Sequence, residues 1–356
     1  LLHIICSLQV FILARRFAGS ISAAFVAGVI FCIHPASVVT LFWKAQVQAL
    51  AGVMLFIPAL GYYLDYLENE SRTDYLKMLL MFLLLLFVNE SFVVFPVVVF
   101  FHSLVMRRVH FEKYEILPWA RRYTPLLLIM LAVLVTRGLF FEESEALNPL
   151  TFPGILLRMA WGLCAQVYPS PAVLGSTSIP SIAVMITVAS FFLVLFLKGD
   201  PTDRFLVLWI IVITAPLVAT PEVGKEPVLF MGYSYLPRVA FSIIVARLVF
   251  RLASTKITGG TKVAAAVFCI LIIIAGVAAC RRQSQWFSNS VEELRGFYSR
   301  LESFDHITSA TNGDELVFIE FPELPVLRDK GSIWVVPFMV KLAYSRPGKR
   351  ADQVVH

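Results

Sequence analysis

RTDYLKMLLMFLLLLFVNESFVVFPVVVFFHSLVMRR, residues 72–108, decides the fold. Two apolar blocks, 74–89 and 91–107, meet at Asn89-Glu90-Ser91. Arg72 and Lys77 open the first block, and Arg107 and Arg108 close the second. LLMFLLLLFV (79–88) shows no polar–apolar alternation, so it reads as helix and not as a barrel strand. Each block approaches the roughly 20 residues a helix needs to cross hydrocarbon. A lipid-embedded segment must bond its own backbone, which again selects helix. The basic flanks then share one side of a membrane, and the Glu90 turn lies on the other.

The same reading extends outward. Apolar spans fall near 1–14, 19–36, 46–66, 74–89, 91–107, 123–141, 180–197, 204–219, 235–252 and 263–280. Arg15/Arg16, Arg72/Lys77, the cluster from Arg107 to Arg122, Lys198/Arg204 and the cluster from Arg247 to Lys262 occupy alternate connections. The positive-inside rule makes those connections cytoplasmic. The expectation is an all-α polytopic membrane protein of about ten transmembrane helices. The segment 151–171 is apolar but interrupted by Pro153, Arg158, Gln166, Pro169 and Pro171. If it crossed, every later basic loop would change sides, so it is expected to lie along the outer surface.

Composition agrees. The chain is 58% hydrophobic and 15% charged, against about half and a quarter in soluble domains. The excess apolar surface calls for a lipid bilayer as partner. The net charge of +6 is spread over short connections, not gathered in a stripe, which argues against nucleic acid. Cys6, Cys32, Cys164, Cys269 and Cys280 show no CxxC or Cys/His spacing, so they read as buried apolar residues. Apolar sequence begins at Leu1 with no charged leader, and the chain is expected to be truncated at its start.

Two domains are expected: a helical transmembrane domain, 1–280, and a small extracytoplasmic α/β tail, 281–356. In the tail, SQWFSNSVEELRGFYSRLESF (284–304) reads as an amphipathic helix capped by Ser290 with Glu293 three residues on. LVFIEFP (316–322) reads as a strand, and 331–344 as a second strand and a helix.

Chemistry is expected at the outer loops. FCIHPASVVTLFWKAQ (31–46) offers His34 and Trp43; VNESFVVFP (88–96) offers Glu90; TPEVGKEPVLFMGYSYLPR (220–238) offers Lys225, Tyr233, Tyr235 and Arg238. Each has a plainer reading. His34 could end a helix at the interface, the aromatic residues could form an interfacial belt, and Arg238 could snorkel. Glu90 is harder to explain away, because a carboxylate so close to hydrocarbon is costly without a partner. The run Glu142/Glu143/Glu145 reads as a solvated loop. Gln9 and Gln48 are the main polar groups expected inside the spans, which leaves little for a transport path. No phosphate loop, HExxH or GxSxG motif occurs.

These pieces resemble a family. A span ending in His34-Pro35 with Trp43 nearby, a Glu90 turn before VVFP, Tyr233-Ser-Tyr235-Leu-Pro opening a helix, the exit RRQSQWF (281–287) and the strand LVFIEFP are similar, in that order, to the GT-C polytopic glycosyltransferases. Among them the chain most resembles bacterial relatives of protein O-mannosyltransferases and of tetratricopeptide-bearing transmembrane mannosyltransferases. The resemblance implies a bacterial inner membrane and transfer of a sugar from a polyprenyl-phosphate donor on its non-cytoplasmic face. It implies Glu90 as catalytic carboxylate, and His34, Trp43, Lys225, Tyr233, Tyr235 and Arg238 as substrate-binding residues. It also implies that the family's principal acid lies in an outer loop ahead of Leu1. No cofactor motif is present; a divalent metal bridged by Glu90 and His34 is the one cofactor it leaves room for. Two departures stand out: Met231-Gly232 replace an acidic–basic pair, and Asn89 replaces a lysine. Both remove positive charge near the expected phosphate, and they motivate the alternative of a non-catalytic GT-C-like subunit with membrane-protein partners.

Overall fold

The computed structural model describes residues 1–35, 37, 40–41, 47–106, 116–140, 152–167, 179–219 and 234–254, and shorter stretches between 267 and 296. Among them the chain is helical, joined by turns and bends. It divides into two compact units, Leu1–Cys280 and Arg281–His356. The strands expected at 316–322 and 331–344, and the Ser290 cap, lie outside the described residues.

The first unit contains α1 (Leu2–Phe17), α2 (Ile21–Ile33), α3 (Val47–Asn69), α4 (Arg72–Val88), a 3-10 turn (Glu90–Val94), α5 (Phe95–Met106), α6 (Ile116–Phe140), α7 (Phe152–Val167), α8 (Ile179–Lys198), α9 (Pro201–Ala219) and α10 (Pro237–Ser254). Local chemistry sets the boundaries. Ser20 accepts from Ala23 N at 3.1 Å and caps α2. Asp200 accepts from Asp203 N at 2.9 Å and caps α9, with Pro201 first in the helix, where its missing N–H costs nothing. Pro237 opens α10 in the same way. Gly19, at φ 73, lets the chain reverse between α1 and α2.

Successive helices run antiparallel, and the hydrogen bonds show which ends meet. Arg16, near the end of α1, pairs with Asp65 near the end of α3. Arg247 donates to Phe17 O and reaches Asp200 and Asp203 at the start of α9. Tyr75, at the start of α4, donates to Arg122 O in α6 at 2.7 Å. The basic helix ends thus gather at one end of the bundle, as the alternation of basic connections requires.

Glycines allow close approach at several contacts. A Cβ on Gly28 would meet Phe11 Cβ and Ser7 O at 3.2 Å, where α1 packs on α2. On Gly52 it would fall 1.9 Å from the Phe92 ring. On Gly199 it would fall 2.2 Å from Leu195 O and 2.8 Å from Asp203 Cβ, so only glycine fits the α8–α9 corner.

The core is aromatic: Phe56, Phe82, Phe95, Phe205 and Trp209 are fully buried. The exterior is apolar too. Ile12, Phe25, Leu76, Phe87, Leu128, Ile186 and Leu197 are all more than half exposed. Among the described residues, two helices are long and apolar enough to cross a membrane, Val47–Asn69 and Pro180–Lys198. This is fewer than the spans read from sequence. Two of the apolar blocks are longer than the helices in them: α2 has 13 residues and ends at His34-Pro35, and the 91–107 block spends its first residues in the 3-10 turn. The interior is also more polar than Gln9 and Gln48 alone. The Tyr63 and Tyr123 hydroxyls converge on Ser103 and on Val99 O, His102 is buried beside Phe17 and Phe205, and Asp203 is buried. Gln9 itself donates to Met54 O at 3.1 Å.

Candidate functional site

At the end opposite the basic helix termini, α1 begins, α2 ends and α10 begins. Their meeting builds the Arg238 pole. Arg238 is 0% exposed. Its Nη1 donates to Ser37 Oγ at 3.1 Å and its Nη2 to Ser234 Oγ at 2.6 Å. The guanidinium lies 5.5 Å from the centre of the Tyr235 ring, within cation–π range. Tyr235 is also fully buried, against Phe31 and His3.

His3 joins three elements. Its Nε2 donates to Cys32 O at 2.8 Å, and Tyr235 Oη lies 2.6 Å from its Nδ1. In the neutral ring this fixes the tautomer: Nε2 carries the proton, so the Tyr235 hydroxyl donates to Nδ1. His34 Nε2 donates to Gln166 O at 2.7 Å, tying the end of α2 to the end of α7. Ser37 N donates to His34 O at 2.8 Å, which sets the Arg238 partner one turn beyond His34.

The Glu90 turn belongs to the same end. Phe92, in that turn, sits on Gly52 of α3. Leu50 O, two residues away, accepts from Cys6 Sγ, one turn along α1 from His3. The expected tight turn is a full 3-10 turn, stapled by Phe92 against Phe56. The Glu90 side chain lies outside the described residues, as do Trp43, Lys225 and Tyr233.

Thus the fold brings together His34, Tyr235 and Arg238 of the residues read from sequence. It adds His3, Ser37, Gln166 and Ser234, which that reading missed. Only the spacing Ser234-x-x-x-Arg238, four residues apart on one helical face, was a legible signal. Arg238, expected at an accessible rim, is instead enclosed by the helices. Cys32, expected to be buried, is exposed, whereas Cys6 and Cys164 are buried. No three His, Cys, Asp or Glu side chains group as metal ligands among the described residues.

The other end holds the Asp203 pole. Asp203 is 1% exposed and accepts from Arg247 Nε at 2.9 Å and from Arg251 Nη1. Asp200 accepts from Arg247 Nη2 at 2.7 Å and Arg251 Nη2 at 2.5 Å. Two carboxylates face two guanidiniums, so the cluster is neutral as a whole. Partial burial works against the charge of Asp200. The backbone N–H groups of Asp203 and Thr202 and the two guanidiniums outweigh it and hold the carboxyl below its ordinary value. Sequence reading counted the arginines as topology signals and overlooked DxxD (200–203) facing RxxxR (247–251).

Comparison with protein-family models, with curated proteins and with solved structures finds no match for this chain.

Proposed function

We propose that the chain is an integral-membrane, GT-C-like glycosyltransferase that handles a polyprenyl-phosphate sugar at the Arg238 pole. The observation carrying this reading is the convergence there of His3, His34, Tyr235 and Arg238, from the two ends of a long sequence, opposite the basic helix ends. The membrane part of the reading draws on α8. The most apolar window of Pro180–Lys198 is only 22% buried, whereas the core helix of a soluble protein of that length would be mostly covered. With Lys198 at its end and Arg204 just beyond, a helix of this kind suits a lipid exterior.

The chemistry would be acyl-free group transfer. An acceptor hydroxyl forms a bond to the sugar C1, the C1–O bond to phosphate breaks, and the hydroxyl proton passes to a carboxylate, for which Glu90 is the candidate. Charge develops on the departing polyprenyl phosphate. Arg238, with Lys225, is the candidate cation beside it, and its enclosure makes any such interaction stronger than in water. Tyr235 and Trp43 are candidates for stacking on the sugar.

A second reading is favoured by one observation. His34 donates to a backbone carbonyl and Arg238 to two serine hydroxyls, so both are already engaged inside the bundle. A non-catalytic relative within a larger membrane assembly would keep the same cluster as a structural knot. One assay separates the two. The purified protein in liposomes is given a radiolabelled polyprenyl-phosphate hexose, and both binding and transfer to water or an added hydroxyl acceptor are followed. Binding and transfer lost in Arg238→Ala, and transfer alone lost in Glu90→Gln, support the enzyme. A protein that neither binds nor transfers supports the subunit.

A further inference from the structure

At the start of α1 one imidazole is held at both of its nitrogens. His3 Nε2 donates to Cys32 O, a carbonyl that the end of α2 leaves without a helical partner. The Tyr235 hydroxyl donates to His3 Nδ1 over 2.6 Å. Cys6 also neighbours that hydroxyl, but its thiol already donates to Leu50 O, and sulfur accepts weakly. The imidazole is therefore the acceptor that holds Tyr235. Its ring centre lies 5.6 Å from that of Phe31, which packs edge-on to Tyr235 at 5.0 Å. A fully buried phenol bonded and packed in this way has one ring orientation.

Arg238 lies against that ring, 5.5 Å from its centre. Ser37 and Ser234 accept from its guanidinium, but a hydroxyl turns about its Cβ–Oγ bond and suits many approach directions. Ser234 also stands one turn before Arg238 in the same segment, and so moves with it. The serines hold the guanidinium in place, and the ring sets its plane.

We infer that His3 is a positioning residue. By fixing the Tyr235 ring between α1 and α2, it aims the Arg238 guanidinium. Histidine suits this task because its neutral ring accepts at one nitrogen and donates at the other. The consequence for donor binding rests on the function proposed above, whereas the aiming of Arg238 does not.

The two nitrogens can be removed one at a time. An asparagine amide reaches the place of Nδ1, and a glutamine amide the place of Nε2. His3→Asn therefore keeps an acceptor for Tyr235, and His3→Gln keeps only the donor to Cys32 O. Each loses one hydrogen bond, so a merely structural residue would show equal effects. Full-length protein with isotope-labelled arginine, in nanodiscs, gives the first readout: the Arg238 Nε–H resonance, assigned by its absence in Arg238→Lys and displaced by the Tyr235 ring current. Equilibrium binding of a radiolabelled polyprenyl-phosphate hexose gives the second.

The resonance is expected to hold its position in His3→Asn and to move in His3→Gln and in Tyr235→Phe. Donor affinity is expected to fall about tenfold in the latter two, the weight of one charge-assisted hydrogen bond drawn out of line, and only roughly twofold in His3→Asn. The double variant His3→Gln/Tyr235→Phe should lose no more than either alone, since both break the same bond. Should His3→Gln fail to fold, Tyr235→Phe breaks that bond from the other side and carries the test. Equal displacement in His3→Asn and His3→Gln, or an unmoved resonance in Tyr235→Phe, would overturn the positioning role. A wild type that binds no donor while the resonances move as expected would leave His3 aiming Arg238 and overturn the transferase reading instead.

Discussion

The two ends of the bundle solve the problem of burying charge in opposite ways. At the Asp203 pole the buried Arg247 and the half-exposed Arg251 close on the carboxylates of Asp200 and Asp203. At the Arg238 pole the buried guanidinium's described partners are two serine hydroxyls and an aromatic ring. Paired charge is fixed by its partners, and removing one partner strands the other. A guanidinium held by serine hydroxyls and an aromatic ring is oriented by them, and its enclosure strengthens every electrostatic interaction it makes. The first arrangement is a clamp, and the second is the cluster around which the proposed site is built.

The largest effect is expected from breaking the clamp. Asp203→Ala takes away the buried carboxylate of the cluster, leaves Arg247 only the half-exposed Asp200, and should cost about 3–5 kcal/mol of stability, read as a lower unfolding temperature in detergent, with donor turnover per folded molecule unchanged. Arg238→Lys should cost less, about 1.5–3 kcal/mol for the lost charge-assisted hydrogen bonds, yet abolish donor binding. If Asp203→Ala spared stability, or if Arg238→Lys left binding intact, the contrast between the ends would collapse. Gly52→Ala should cost about 1–3 kcal/mol by overpacking against Phe92, and Phe92→Leu in the same chain should restore part of it. A loss that the second substitution did not relieve would mean that Phe92 is not what fills the Gly52 site. Arg16→Gln, which removes a part-exposed pair with Asp65, should cost only about 0.2–1 kcal/mol.

Acid sharpens the same comparison. The folded Asp200 carboxyl titrates below its unfolded value. Its contribution is therefore complete above the ordinary carboxylate range and is lost as pH falls through the lowered folded value. Unfolding followed between neutral pH and strong acid should show this loss in the wild type and less of it in Asp200→Asn. An unchanged acid profile in Asp200→Asn would place the acid-sensitive group elsewhere.

The helical class and the order of helix ends were legible, because hydrophobic blocks and basic connections act locally along the chain. Residues 72–108 show it: the two blocks, the turn at Asn89-Glu90-Ser91 and the basic flanks all reappear as α4, the 3-10 turn and α5. Helix lengths were less legible, since an apolar block continues through a corner such as His34-Pro35 without a change in composition. The site was half legible. His34, Tyr235 and Arg238 announce themselves as polar residues at apolar ends, but His3 and Ser37 acquire meaning only when α1 and α2 meet α10. Asp200 and Asp203 were hidden for another reason: a carboxylate next to basic residues looks solvated until its partners, Arg247 and Arg251, arrive from 47 and 48 positions away along the chain.

The central claim is that the two poles face opposite sides of a membrane, and α8 tests it most directly. Pro180→Cys and Lys198→Cys, each made with the five native cysteines replaced by serine, place one thiol at either end of a single helix. An impermeant maleimide applied to spheroplasts should label the cysteine at 180 at once and the cysteine at 198 only after permeabilisation. Labelling of both from the same side would contradict the account.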